Sequence, residues 1–226
     1  KLSFSGRKIK KLVRKIKEND SSEQYICELG VDQVSEDVFD DVDTVFHLAG
    51  VTHDVDKTSM TDNLYYDVNV TATEQLAITA AKKGVKRFIY ASTIYVNSVD
   101  GGFYRSSKKA AEDYIEEYKK IYGVNYTILR FGSLYGRRAD DSNGVKKVIK
   151  NAIFNGQISY DGSSKSIRKY INVLDAAKAC ADVLRNKYKN KHIIVTGKKK
   201  IKVSDFLQKL SKMLKISKKI RYHNKK

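Results

Sequence analysis

The sequence predicts an α/β protein, a mostly parallel sheet covered on both faces by helices. Three observations carry that reading. Short apolar runs rich in β-branched and aromatic residues alternate with segments of helical period along the chain. Small and hydroxyl-bearing residues gather where those runs end, as Ala49-Gly50, Ala91-Ser92-Thr93 and Gly132-Ser133-Leu134-Tyr135-Gly136, and ligands of such sheets bind at the carboxyl ends of the strands. A long amphipathic segment, FYRSSKKAAEDYIEEYKKIY at 103–122, follows the second of these ends.

Taken in order, the runs at 24–29, 44–48, 87–91, 126–131 and 192–196 are expected as strands, and the helical periods at 70–83, 104–122, 145–154, 173–185 and 203–214 as helices. In the long helix Tyr104, Ala111, Ile115, Tyr118 and Tyr122 fall on one face, with Lys108 at the midpoint of the seven-residue step. Lys108 is therefore expected on the buried face, one turn after Tyr104. A core needs neither an ammonium nor a phenol there, so the pair points to chemistry. A phenol titrates near pH 10 in water, and an ammonium one turn away favours the phenolate, which can then exchange a proton with an alcohol near neutrality. Thr93, eleven residues before Tyr104, adds a hydroxyl that the same pocket can receive.

Composition bounds the function classes. A chain of 226 residues can bury a substantial core. Cys27 and Cys180 lack any partner spacing and read as reduced cysteines of a cytoplasmic protein, and with four scattered histidines they make no metal site. No apolar run approaches a membrane span, so a membrane partner is not expected. The net charge of +18 comes largely from lysines spread over many helices. Without a nucleic-acid motif this reads as a solvated surface, and specific nucleic-acid binding is not expected.

The motifs DTVFHLAG (43–50), DVNVTATEQL (67–76, containing Asn69), RFIYAST (87–93), YRSSKKAAE (104–112), ILRFGSLYG (128–136) and RKYINVLDAA (168–177) occur in this order. With them the chain, from about residue 10 to about residue 214, resembles the extended short-chain dehydrogenase/reductases, in particular the NAD-dependent epimerase/dehydratase family acting on nucleotide sugars. The resemblance implies a Rossmann-like doubly wound parallel sheet with a small substrate-binding region. Residues 1–135 with 165–200 would form the dinucleotide-binding domain, and 136–164 with 201–226 the smaller region. It implies Tyr104 as catalytic acid/base, Lys108 as its partner that also holds the nicotinamide ribose, and Thr93 as the hydroxyl bonding the reacting sugar oxygen. Asn69 matches a helix-start asparagine near the active site. Glu28 and Leu29 fall where the family touches adenine, and Leu48, Ala49 and Gly50 line the cofactor cleft. Ser133 and Arg168 are the implied contacts to substrate, the arginine gripping a pyrophosphate with its planar fork. NAD is the implied cofactor, and Arg14, where NAD-preferring members carry an acid, leaves NADP open. The implied setting is nucleotide-sugar metabolism and cell-surface polysaccharide synthesis in the cytoplasm, by a homodimer joined through its two long helices.

Two departures shape the expectation. Thr93 is followed by Ile94-Tyr95, where the sugar 4,6-dehydratases of the family carry an Asp-Glu pair to eliminate water; epimerase or ketoreductase chemistry is favoured instead. The family also opens on a strand running into G-x-x-G-x-x-G, whereas this chain opens on KLSFSGRKIKKLVRK, read as the end of the following helix and the second strand at 9–13. An N-terminally truncated sheet is expected, with unpaired edges on the two strands flanking the gap and weak cofactor binding. The expected function is a nucleotide-sugar epimerase; an NADP-dependent carbonyl or sugar reductase and a non-catalytic RNA-binding relative of the fold stand as alternatives.

Overall fold

The computed structural model describes residues 8–52, 61–99 and 101–223, without the side chains of Thr61 and Asp62; the remaining parts of the two expected domain ranges lie outside the described residues. The elements in chain order are β1 (Lys10–Val13), β2 (Glu23–Ile26), β3 (Thr44–His47), α1 (Thr61–Tyr66), α2 (Ala72–Lys82), β4 (Arg87–Thr93), α3 (Gly102–Tyr122), β5 (Asn125–Phe131), β6 (Ser133–Tyr135), α4 (Gly144–Asn155), β7 (Ser159–Asp161), β8 (Ile167–Arg168), β9 (Tyr170–Asn172), α5 (Val173–Asp182), β10 (Lys191–Val195), β11 (Ile201–Lys202), α6 (Val203–Met213) and β12 (Arg221–His223). The strands and helices expected from residue 9 onward are present, with shifted ends, while the helix end expected ahead of residue 9 lies outside the described residues but for Lys8. The run at 24–29 stops at Ile26 because the Glu28 carbonyl turns back to accept the amides of Val31 and Asp32. The run at 87–91 continues through Ser92 to Thr93, both buried.

The chain folds into two compact units, Lys1–Arg130 with Ala181–Ile193, and Phe131–Cys180 with Ile194–Lys226. In the first, a four-stranded sheet runs in the order β10-β5-β4-β3, and β1 and β2 form a separate parallel pair. β3 lies parallel to β4 in the register Thr44↔Arg87 to His47↔Tyr90. Among the described residues β1 and β3 each have one edge without a ladder partner. β4 is the central strand for function: Phe88, Ile89 and Tyr90 are at most 1% exposed, the continuous apolar burial of a strand covered on both faces. Its core neighbours are Leu76, Ala77 and Ala80 of α2, Ala111, Ile115 and Tyr118 of α3, and Val34, Val38 and Phe39 between β2 and β3. Cys27 and Cys180 are both buried and free.

α3 is held to its length by its ends. It begins beyond Gly101 at φ 111 and stops at Gly123, whose left-handed conformation lets its amide bond the Lys119 carbonyl. In the second unit, β6 pairs parallel with β9, β7 parallel with β12, and β8 antiparallel with β11. Val148 and Ala152 of α4, Ile158, and Val203, Leu207 and Leu210 of α6 form its core. Asn143 caps α4 by accepting the Lys146 amide at 3.2 Å.

Candidate active site

The buried face of α3 carries the expected pair. Lys108 is 5% exposed, although an ammonium leaves water at high cost unless partnered. Its Nζ donates to the Ala91 carbonyl at 3.0 Å and sits 4.6 Å from the centre of the Tyr90 ring, a cation–π contact strengthened by desolvation. Burial pulls the ammonium down from 10.5 to about 8, against the charge of Glu112, which favours the protonated form. Gly50 is required beside it: a Cβ there would come within 2.8 Å of Lys108 Nζ and 2.9 Å of Asn69 Oδ1.

Thr93 ends β4 and caps the short turn Ile94–Asn97, its Oγ1 accepting the Tyr95 amide at 3.2 Å. That amide occupies an acceptor position and leaves the hydroxyl proton free to donate. The Thr93 hydroxyl acts on the Tyr104 phenol in favour of the phenolate; burial acts more strongly the other way and raises the phenol above its ordinary range. Helical spacing alone gives the lowering role to Lys108. In the structure Thr93 is the neighbour that favours the phenolate, while the ammonium is engaged by Ala91 and the Tyr90 face.

Asn69 lies in a π-helical turn, Asp67–Thr71, inserted ahead of α2. Such wide turns recur at functional sites because they re-aim one side chain. Asn69 is 1% exposed and makes three hydrogen bonds: Oδ1 accepts the Val51 amide at 2.8 Å, and Nδ2 donates to the Val51 carbonyl and to Ser107 Oγ, each at 3.0 Å. Ser107 Oγ in turn donates to the Tyr104 carbonyl at 3.0 Å. The loop after β3 is thereby tied to the helical turn that carries Tyr104. Gly30, at φ +87, lets the turn after β2 pack on the same π segment, since a Cβ would lie 2.8 Å from Val68 Cγ2.

A second buried chain of bonds backs the site. His47 Nε2 and Thr73 Oγ1 are 2.8 Å apart, and Thr73 donates its one proton to the Asn69 carbonyl at 2.8 Å, so His47 is the donor to Thr73. Burial, with the nearby Lys108 charge, pushes the imidazole down to about 3, which keeps it neutral. Its ring lies 5.5 Å from that of Tyr90, whose buried hydroxyl makes no hydrogen bond of normal geometry.

Thr93, Tyr104, Lys108, Asn69 and Gly50 thus meet in the first unit. Leu48, Ala49 and Gly50 are exposed where β3 ends, with Leu48 at 52%. Arg14 is exposed directly after β1. Glu28 is exposed in the turn after β2, while Leu29 packs on the core. Ser133 and Arg168 belong to the second unit: Ser133 opens β6 with its amide bonded to the Lys169 carbonyl at 3.1 Å, and half-buried Arg168 stands opposite Ile201 across β8 and β11. Sequence reasoning missed Ser107, His47, Thr73 and Glu112. Glu112 alone left a signal, lying one turn beyond Lys108 on the same face. Among the described residues no group of three or more His, Cys, Asp or Glu is placed to hold a metal ion, and no helix is long and apolar enough to cross a membrane.

The profile of the NAD dependent epimerase/dehydratase family matches residues 3–197. Mouse dTDP-D-glucose 4,6-dehydratase is 31% identical over 156 residues, which is 63% of this chain and 44% of that protein. A putative UDP-glucose 4-epimerase of Methanocaldococcus jannaschii is 27% identical over 182 residues, 71% of this chain and 57% of the relative. The chain spans less than half the length of the mammalian dehydratases it matches. Among solved structures, UDP-glucuronic acid 4-epimerase from Bacillus cereus in complex with UDP-glucuronic acid and NAD superposes with a TM-score of 0.82 at 21% identity, over 92% of this chain and 70% of that one. UDP-glucose 4-epimerase from Thermotoga maritima with UDP-glucose gives 0.80 at 21% identity, over 98% and 79%.

Proposed function

Because the chain belongs to the NAD dependent epimerase/dehydratase family, we propose that it serves a nucleotide-sugar epimerase that inverts a hydroxyl-bearing carbon of a nucleotide-diphosphate sugar with NAD. The observation that carries this reading is the buried Lys108 ammonium on the Ala91 carbonyl, one helical turn behind Tyr104 and beside the strand that ends at Thr93. Dehydration needs a further acid and base beside the threonine, and the turn after Thr93 carries Ile94 and Tyr95 instead of carboxylates.

The residues present fit a dinucleotide. Exposed Leu48, Ala49 and Gly50 at the end of β3 leave backbone and one apolar side chain open to a flat ring, and Lys108 supplies ammonium protons beside Gly50. Leu48, Ala49, Gly50, Asn69 and Lys108 would hold the cofactor together with Arg14, Glu28 and Leu29. When bound, the nicotinamide supplies the hydride chemistry. The chain's own groups handle the proton: Tyr104, in its phenolate form, takes it from the sugar hydroxyl and gives it back, Thr93 donates a hydrogen bond to the oxygen that bears the charge, and Lys108 sets a positive potential beneath both. Ser133 and Arg168 are assigned to the substrate, the guanidinium to its pyrophosphate. Exposed Phe103, Tyr114, Ile121 and Tyr122 along α3 suit the assembly of two copies through the long helices. Two free cysteines suit a reducing, cytoplasmic setting.

The test is Tyr104→Phe, with sugar configuration followed by NMR and dinucleotide binding by calorimetry. Turnover should be lost while NAD binding and the melting curve are retained; an active Tyr104→Phe enzyme rejects the assignment. Arg14, exposed directly after β1, supports a second reading as an NADP-dependent reductase. That reading requires net consumption of NADPH, which an epimerase does not show.

A further inference from the structure

Behind the Thr93, Tyr104 and Lys108 set lies a buried ion cluster for which the chemistry above has no use. Glu112 is fully buried on α3. Its Oε1 accepts Ser92 Oγ at 2.5 Å and Arg130 Nε at 3.0 Å, and its Oε2 accepts Arg130 Nη2 at 2.6 Å. His192 of β10 stands beside the pair, with Nδ1 3.6 Å from Glu112 Oε2 and Nε2 2.5 Å from Glu116 Oε1. Buried ion pairs of this kind contribute little that well-packed apolar residues would not, so stability alone does not explain one. Its place in the fold does offer a reason. Ser92 precedes Thr93 on β4, and Lys108 lies one turn before Glu112 on the same buried face of α3.

We propose that Glu112 is a positioning residue of this site, fastening the end of β4 to α3 through Ser92 and standing as the counter-charge one helical turn beyond the Lys108 ammonium. The inference rests on the assignment of Lys108 to the reacting set. The groups that face Lys108 are Tyr90 from β4, His47 from β3, and Tyr104 and Glu112 from its own helix, with Arg130 of β5 paired to Glu112. His47 is neutral and Tyr90 and Tyr104 are uncharged phenols, both raised by burial. Among the described residues that leaves the Glu112 carboxylate as the negative charge acting on the lysine. The Ala91 carbonyl and the Tyr90 face hold the ammonium in place but bear no net charge.

The experiment titrates Lys108 directly, by NMR of protein labelled with ¹³C at lysine Cε, the Lys108 signal being identified by its loss in Lys108→Met. Wild type, Glu112→Gln, Arg130→Met and Glu112→Gln/Arg130→Met are compared. The double variant removes both charges as a unit, which leaves no unpaired buried ion and preserves folding where a single variant does not. The midpoint should fall by about one pH unit from wild type to Glu112→Gln, and by a similar step from Arg130→Met to the double variant, since loss of the Arg130 guanidinium alone raises it. An unchanged midpoint in both comparisons overturns the proposal, because burial and the Ala91 carbonyl would then set the protonation alone. A role confined to packing would lower the melting temperature without moving the titration. No substrate or cofactor is needed, so a lowered midpoint beside an active Tyr104→Phe enzyme would retain this inference and reject the epimerase reading.

Discussion

Lys108→Met should make the protein more stable while removing its chemistry, and the gain should depend on pH. The side chain is buried, and its ammonium falls from 10.5 to about 8 through desolvation. At about 1.4 kcal/mol per pH unit, holding it charged below pH 8 costs the native state about 3 kcal/mol. Methionine fills nearly the same space without charge but leaves the Ala91 carbonyl without its donor at 3.0 Å, which returns about 1 kcal/mol. A net gain of about 2 kcal/mol at pH 7 follows. The sign with pH is fixed by linkage. Between about 8 and 10.5 the unfolded chain holds a proton that the native state has released, so wild-type stability rises with pH across that window and the advantage of methionine shrinks. Urea denaturation at pH 7, 9 and 10.5 reads both quantities. A variant less stable than wild type at pH 7, or an advantage that does not change with pH, would refute the view of Lys108 as a desolvated cation.

His47 should make the fold acid-labile: its imidazole is held at about 3 against 6.5, so the unfolded state protonates first and stability present above pH 6.5 is lost as pH falls toward 3. The loss is about 5 kcal/mol, and His47→Gln should flatten that limb of a pH-dependent urea series. Gly50→Ala places a Cβ 2.8 Å from Lys108 Nζ and 2.9 Å from Asn69 Oδ1; a destabilisation of about 1–2 kcal/mol is expected, and an unchanged denaturation midpoint would show that the loop yields freely. In the second unit Leu207 is completely buried, so Leu207→Ala should cost about 2–5 kcal/mol, read as a lower urea midpoint; a loss below about 1 kcal/mol would argue against the α4–α6 core.

What the sequence revealed followed periodicity, and what it hid did not. β3, β4 and β5 were legible because apolar runs bounded by small residues have few alternatives, and α3 because its buried face repeats every three or four residues. The π-helical turn at Asp67–Thr71 was invisible because one extra residue breaks the helical period without breaking the helix. β7 and β12 are three residues each and exist by pairing Ser159–Asp161 with Arg221–His223, far apart in the chain; nothing local announces them. The site divides in the same way. Tyr104 and Lys108 share a helix face, and Thr93 ends a strand, so all three could be read directly. The bonds that support them join residues with no common period: His47 to Thr73, Asn69 to Ser107, Glu112 to Ser92 and Arg130. Which neighbour favours the Tyr104 phenolate was likewise a matter of geometry. Helical spacing places Lys108 near Tyr104, but only the fold shows that its ammonium turns to the Ala91 carbonyl.

These irregularities share one neighbourhood. An unforced fold would place leucine at Lys108 and Glu112, a regular turn at Asn69 and phenylalanine at Tyr90, whose buried hydroxyl goes without a normal hydrogen bond. Each actual residue costs stability, and each lies within the turns of α3, the end of β4 or the segment packed against them. Departures scattered over a surface would signal drift; departures gathered around one phenol and one ammonium signal a constraint other than folding. The buried cation is not left bare: Lys108 has Ala91, Tyr90 and Glu112 as partners, on two elements. A side chain kept for packing would need none of them. The cost of Lys108 therefore points to function before any reaction is named, and the stability of Lys108→Met measures what the chain gives up to keep it.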